Sequence, residues 1–372
     1  MFFKFILGLL ICLIRVDSLC EKELLRSIEW VGGPFDFETS AMKSLLTSSD
    51  KYINKNIISS RGQIFEDSAI LAFPRFKCGN PATLVKLSLK WKGCTPLLEP
   101  FPCWSSQEIN NCKSLQSVVD VFIDPLGVCW VLDAGIINTL ESSVRTCAPK
   151  VVAFNLKTGR QLKSLDPTGL VEKTSRLQYL IVEYTDGGEP YVFVVDASTA
   201  SILVFDVIHD KSMRVVLPKE AATGCSQKDV LYAAVVQKED GFNYLLFTYL
   251  CGLRMFAIRT DILRSGSLSG NVVDLGLKPG KIVILGTDFG SAIFFRYEGK
   301  DEVFRWDSND HFKKNKFISV YKSKPGFLVS QVMPDIKRQK MRVLESNFPD
   351  FLQGTVGCGA VQQINIIGET KS

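Results

Sequence analysis

Trp130-Val131-Leu132-Asp133, then after a loop Lys150-Val151-Val152-Ala153-Phe154-Asn155-Leu156, closed by Lys157-Thr158-Gly159-Arg160, is the stretch that decides the fold. Two short runs rich in β-branched and aromatic residues, bounded by Asp, Asn and Gly, read as paired strands, and Gly159 stands where a tight hairpin needs left-handed backbone. The unit recurs in both directions along the chain. Its first run reappears as Ile70-Leu71-Ala72-Phe73, Phe193-Val194-Val195-Asp196, Leu246-Phe247-Thr248-Tyr249, Val283-Ile284-Leu285-Gly286-Thr287-Asp288 and Arg342-Val343-Leu344-Glu345-Ser346. Its second run reappears at 83–87, 201–206, 253–258 and 291–296. Successive first runs lie about 40 to 63 residues apart, the size of a four-stranded blade with its loops. Six such units predict an all-β fold, a disulfide-bonded six-bladed β-propeller. Continuous runs such as Ile282-Val283-Ile284-Leu285 suit strands covered on both faces by neighbouring blades. No Pro/Ser/Gly-rich linker separates the units, so residues 19–372 are expected to form one domain, with a short helix near 38–46.

The N-terminus speaks to the compartment. Met1-Phe2-Phe3-Lys4 puts one positive charge before an apolar stretch at 5–14, which Arg15-Val16-Asp17-Ser18 ends. That layout predicts a cleaved secretory signal over residues 1–18. The apolar stretch is too short for the roughly 20 residues that span a bilayer, so no membrane association is expected. Of 11 cysteines, Cys12 lies in the signal. The remaining even number reads as disulfides in an oxidising compartment. Sequence spacing gives two candidate pairs, Cys103 with Cys112 across a short loop and Cys147 with Cys225 at two strand ends. With no Cys-x-x-Cys pair and two histidines, neither a metal site nor a cofactor is expected. The net charge of +5 falls to +4 once Lys4, Arg15 and Asp17 leave with the signal. The basic clusters at 313–316 and 337–340 read as solvated loops, and nucleic acid is not an expected partner. No Asn-x-Ser/Thr sequon occurs, so N-glycosylation is not expected.

The segment Asp124-Pro125-Leu126-Gly127-Val128-Cys129-Trp130-Val131-Leu132-Asp133-Ala134-Gly135, followed by Arg145-Thr146-Cys147-Ala148-Pro149-Lys150, resembles the insect yellow/major royal jelly family. Ser175-Arg176-Leu177-Gln178-Tyr179-Leu180, Gly286-Thr287-Asp288-Phe289-Gly290-Ser291 and the tail Glu345-Ser346-Asn347-Phe348-Pro349-Asp350 match as well. The resemblance implies a secreted six-bladed propeller. Family roles run from cuticle pigmentation and eggshell to food proteins and binding of biogenic amines, and some members have been assigned dopachrome-converting activity. The Cys-rich stretch 78–112, with Phe101-Pro102-Cys103-Trp104, looks most like the eggshell-associated yellow-g branch.

Catalytic constellations are scarce. The histidines, His209 and His311, fall in polar turn-like stretches, and Gly224-Cys225-Ser226 lacks the spacing of a nucleophile elbow. Asp133, Asp196 and Asp288 end first runs, either as carboxylates ringing one mouth of a central channel or as turn formers accepting backbone N–H bonds, and recurrence in successive units favours the turn. The resemblance to amine-binding members implies a pocket from Thr287, Asp288 and Phe289 with Ser346, Asn347 and Phe348, where an aromatic face and polar side chains would suit a ring-bearing ammonium. The leading expectation is a non-enzymatic secreted protein that partners extracellular matrix or eggshell proteins in eggshell formation or hardening. The alternatives are a binder of a small aromatic amine and a dopachrome-converting enzyme of melanization.

Overall fold

The short apolar runs become strands of about six residues because Gly, Asp and Asn interrupt them at nearly every turn. The computed structural model describes residues 27–368 except 92, 94, 227 and 269. The expected signal at 1–18 lies outside these described residues, as do Cys12, Cys20 and Cys94. Strand β1 (Ser27–Val31) stands apart from the sheet that follows it. Blade one holds β2 (Arg61–Phe65), β3 (Ser68–Ala72), β4 (Leu84–Ser88) and β5 (Leu98–Pro100). Blade two holds β6 (Val118–Ile123) and β7 (Val128–Asp133); a small hairpin, β8 (Ile136–Ile137) with β9 (Val144–Arg145), leads on to β10 (Lys150–Asn155) and β11 (Gln161–Leu165). Blade three comprises β12 (Leu177–Tyr184), β13 (Pro190–Asp196), β14 (Ser201–Asp206) and β15 (Lys211–Val216). Blade four comprises β16 (Leu231–Gln237), β17 (Asn243–Tyr249), β18 (Arg254–Arg259) and β19 (Val273–Leu277). Blade five comprises β20 (Ile282–Thr287), β21 (Ala292–Tyr297), β22 (Glu302–Asp307) and β23 (Ile318–Lys322). Blade six takes β24 (Leu328–Asp335), β25 (Lys340–Ser346) and β26 (Val361–Ile366), and its fourth strand is β1.

All six sheets are antiparallel meanders, and their first strands β2, β6, β12, β16, β20 and β24 contact one another in a closed ring around a central axis. The propeller is therefore as expected, with one shift of register. Five of the recurring first runs are second strands of their blades (β3, β7, β13, β17, β25), whereas Val283–Asp288 matches the innermost strand β20. The expected helix is α1 (Ser40–Ser48), capped by Thr39, whose Oγ1 accepts the Met42 N–H at 3.0 Å. Gly159 has φ +69 in the β10–β11 turn.

The disulfides differ from the two expected pairs. Cys112 joins Cys147, and Cys225 joins Cys251. Cys103 instead lies 3.1 Å from the Ser105 hydroxyl and 3.3 Å from that of Ser106. The strap that follows β9 carries Cys147 back onto Cys112, where Lys150 Nζ also donates to the Cys112 carbonyl at 2.6 Å. Cys225 precedes β16 and Cys251 follows β17, so pairing of that hairpin brings the two together.

Ring closure rests on β1, which pairs along its whole length with β26, from Ser27 opposite Asn365 to Val31 opposite Val361. Trp30 is buried in a cluster with Leu71 and Phe73 of the first blade and Leu344 and Ile364 of the last. Trp30→Ala is expected to lower unfolding free energy by about 3–5 kcal/mol. Urea denaturation checks this; an unchanged midpoint would mean that closure does not depend on this side chain.

Candidate functional site

The six innermost strands enclose a channel of about 980 Å3. It opens where these strands end, at Glu66, Pro125, Tyr184, Gln237, Phe289 and Lys337. Most of the wall is apolar, including Ile64, Phe122, Leu180, Val235, Ile284 and Met333. At the mouth, the rings of Phe122 and Phe289 meet edge to face with centroids 6.2 Å apart.

Deeper, towards the strand starts, the lining turns polar. Arg61 opens β2 and donates to the Tyr179 hydroxyl at 2.6 Å, to the Ser330 carbonyl at 3.2 Å and to Gln331 Oε1. Its guanidinium lies 4.6 Å from the Tyr179 ring centroid, a cation–π contact. Tyr232 packs against Tyr179 with ring centroids 5.6 Å apart. Asp120, from β6, lines the same space and is buried; its Oδ1 accepts the Val121 N–H at 2.9 Å and its Oδ2 accepts the Leu180 N–H at 2.8 Å. Burial pushes the Asp120 carboxyl up to about 6, against the opposing pull of Arg61 and the two backbone donors. Burial likewise raises Tyr179 well above the ordinary tyrosine value. For Arg61, burial works against the charge, but the fields of Tyr179, Asp120 and Tyr232 outweigh it, so the guanidinium holds its proton more tightly than usual.

Two other carboxylates near the channel are fully engaged. Glu183 accepts from Asn243 at 2.8 Å, Thr260 at 2.6 Å and Arg264 at 2.8 Å, which ties blade three to blade four. Asp124 accepts the Leu126 and Val128 N–H groups at 2.9 Å each, together with the Trp130 indole and the Tyr184 hydroxyl. These are structural links. The basic cluster at 337–340 is partly neutralised at the mouth, where Lys337 and Arg338 pair with Asp67.

The residues expected to form a site are spread over both ends of the propeller. Asp133 and Asp196 end second strands, opposite the first residues of β6 and β12, and so lie at the far end from the channel mouth. Both are fully buried: Asp133 accepts the N–H groups of Gln116, Ser117 and Gly135, and Asp196 those of Arg176 and Ser198 plus the Thr199 hydroxyl. Asp288 follows β20 at the mouth end and accepts the Gly290 and Ala292 N–H groups, with Arg305 at 3.4 Å. The three do not ring one mouth; each organises a turn.

Thr287 and Phe289 line the channel mouth, but Ser346 ends β25 opposite Leu328, the first residue of β24, and so lies at the other end. There Asn347 Oδ1 accepts the Val361 N–H at 2.8 Å, and Phe348 packs with Phe351 and Phe76 in a satellite core. The structure therefore does not bring Thr287, Asp288 and Phe289 together with Ser346, Asn347 and Phe348. Blade five accounts for the difference: β20 is an innermost strand whose end lies at the mouth, whereas β25 is a second strand whose end lies opposite. Among the described residues, Ser346 Oγ and Glu345 Oε2 are buried without a hydrogen-bond partner.

Sequence reasoning missed Arg61, Asp120, Tyr179 and Gln331. A signal existed for Asp120, a lone charge inside the apolar run Val118-Val119-Asp120-Val121-Phe122-Ile123. His209 sits on the surface with its ring on Asp206, and His311 is exposed. The potential metal ligands Cys225, Asp229 and Cys251 cluster together, but two of them form the disulfide, and Asp229 accepts the Cys251 N–H at 2.7 Å.

Residues 116–369 match the family described as "Major royal jelly protein". The chain belongs to the major royal jelly protein family. It is 24% identical to major royal jelly protein 2 of Apis mellifera over 77% of this chain and 61% of that protein. It is also 24% identical to dopaminechrome tautomerase of Drosophila melanogaster, over 52% of this chain and 43% of that one, and to protein yellow of the same species, over 63% and 47%. The match thus spans less than two thirds of each of these family members. Among solved structures, an α-L-arabinofuranosidase from Fusarium graminearum covers 92% of this chain and 97% of its own, with a TM-score of 0.56 and 8% identity. An α-L-arabinanase from Penicillium chrysogenum has a TM-score of 0.54 at 9% identity over the same shares. These likenesses concern the fold alone.

The Asp120 carboxyl gives a prediction about stability. Its folded-state value of about 6 lies above the ordinary 3.8, so folding favours the protonated form. That stabilising contribution is full below about pH 3.8 and is lost as pH rises through about 6. The unfolding free energy of Asp120→Asn relative to the native chain should therefore shift in the variant's favour between about pH 4 and pH 7, by about 3 kcal/mol. Urea titrations at several pH values test it; a difference that stays flat would mean that the carboxyl ionises as freely as in the unfolded chain.

Proposed function

We propose that this chain is a secreted propeller that holds a small aromatic ring compound in its central channel. The observation that carries this reading is the cluster of Arg61, Asp120, Tyr179 and Gln331 at the deep end of a channel whose wall is mostly apolar. Such a lining suits a planar ring whose body lies against the walls and whose oxygen or nitrogen substituents reach the polar end. Secretion is supported by the signal-like N-terminus and by two disulfides. The ligand class is supported by a relative named for its action on dopaminechrome.

Calorimetry with dopamine and serotonin tests the reading. Val235 lines the channel and is partly exposed to it. Val235→Trp should fill the space and weaken binding at least about tenfold, with circular dichroism confirming the fold. Undiminished binding by the filled variant would place the ligand elsewhere, and the absence of heat from the native protein would sink the reading.

A second reading, partnership with eggshell matrix proteins, is favoured by Cys78, Cys103 and Cys358, which are exposed and form no disulfide with one another or with other described cysteines. The yellow-g resemblance of the Cys-rich stretch adds to it. Ovarian expression and fragile eggs after depletion are the expected outcomes; expression confined to other tissues, with sound eggs, removes this role.

A further inference from the structure

Strands β6 and β20 belong to blades two and five. Around the ring of innermost strands, β20 stands three places from β6 in either direction, so the two face one another across the axis. Yet the ring of Phe122, next to the end of β6, meets that of Phe289, just beyond the end of β20, edge to face at 6.2 Å. Two side chains from opposite blades therefore bridge the mouth of the channel.

The two halves of this bridge are built differently. Phe122 is partly buried and packs against the core shared by blades two and three. Phe289 is 44% exposed, so its ring has solvent to turn into. Its backbone lies in the left-handed region, at φ +61, which a bulky residue rarely adopts. The surrounding turn pins it there. The Phe289 N–H donates to Thr287 Oγ1 at 3.2 Å, and Asp288 Oδ1 accepts the Gly290 and Ala292 N–H groups at 2.9 and 3.1 Å. The Gly290 carbonyl takes the Gln237 N–H of blade four at 3.0 Å. Glycine would adopt this conformation without strain, so the needs of the turn do not explain a phenylalanine in it.

We infer that Phe289 is a gate on the channel: a ring compound enters or leaves when its side chain swings off Phe122, and the bridge closes the mouth between passages. This rests on the reading of the channel as a site for a small aromatic ring compound. Because the turn is pinned, opening is a rotation of one side chain between rotamers and leaves the loop in place. Edge-to-face contact favours the closed pair by a factor of about 2 to 10, so the mouth is shut most of the time and opens without unfolding anything. The same ring obstructs entry and exit, so the gate sets how fast a ligand exchanges and leaves its affinity alone.

Stopped-flow fluorescence with serotonin, beside calorimetry, tests the gate, with circular dichroism confirming the fold of each variant. Phe289→Ala should speed association and dissociation alike, about two- to tenfold, with Kd within about twofold of the native value. Phe122→Leu, which keeps an apolar side chain against the blade-two core, should do the same. The double variant should be no faster than either single one, because losing one ring already opens the bridge. If Phe289→Ala speeds dissociation alone and weakens binding, Phe289 is a wall of the binding site and the gate falls. A second probe needs no bound ligand. Ala233 lines the channel four residues before Gln237. The thiol introduced by Ala233→Cys should react with N-phenylmaleimide about two- to tenfold faster once Phe289→Ala is added, read by mass spectrometry of that peptide. If serotonin binds but neither its exchange nor the labelling responds to Phe289→Ala, the gate falls and the channel reading stands. If dopamine and serotonin give no heat but the labelling accelerates, the ring-compound reading falls and the gate stands. No heat together with unchanged labelling removes both.

Discussion

Six sheets that meet around an axis each turn one open edge inward, and an open edge carries backbone N–H and C=O groups that must find partners. The propeller depends on how those inner edges are satisfied. Gln63, Asp120 and Gln178 supply side-chain acceptors across three seams, and the Gly290 carbonyl takes the Gln237 N–H at 3.0 Å across the fourth. At the last seam Arg61 reaches from blade one to Ser330 and Gln331 of blade six. These links hold neighbouring inner strands at fixed separation, and they bring polar side chains to an apolar axis.

Close approach along the same axis explains a glycine. Gly286 has φ +152 in a bulge of β20, and a Cβ there would lie 2.3 Å from the Val332 carbonyl oxygen of β24. That value of φ belongs to glycine, and the contact leaves no room for any side chain. The bulge lets two innermost strands converge while Thr287 and Phe289 are carried out to the rim. The close approach of blades five and six at this point thus depends on a glycine at position 286.

Much of the fold was legible because strand length and composition repeat. The hairpin ending at Gly159, the six units and the turn role of Asp133 and Asp196 all followed from local chemistry. Blade five misled because Val283-Ile284-Leu285 has the composition of a second strand, and composition does not tell an inner strand from its neighbour when both are buried. The disulfides were missed for a related reason. Cys112 and Cys147 meet through the path of a strap, and Cys225 and Cys251 meet through strand pairing, neither of which is encoded in nearest-neighbour spacing. The channel cluster was hardest to see. Arg61, Asp120, Tyr179 and Gln331 come from four blades, and only ring closure makes them neighbours.

The scarcity of histidine had weighed against acid–base chemistry, since histidine is the side chain whose ordinary value lies nearest neutrality. Both histidines are indeed on the surface. Burial changes the comparison, because a carboxylate loses more solvation on entering the channel than its two backbone donors and Arg61 restore. Asp120 thereby moves to about 6, into the range a histidine would occupy. A chain poor in histidine thereby holds a carboxyl that titrates nearer neutrality at the axis of its fold, and the repeating seam that sets Leu180 against Asp120 fixes its orientation.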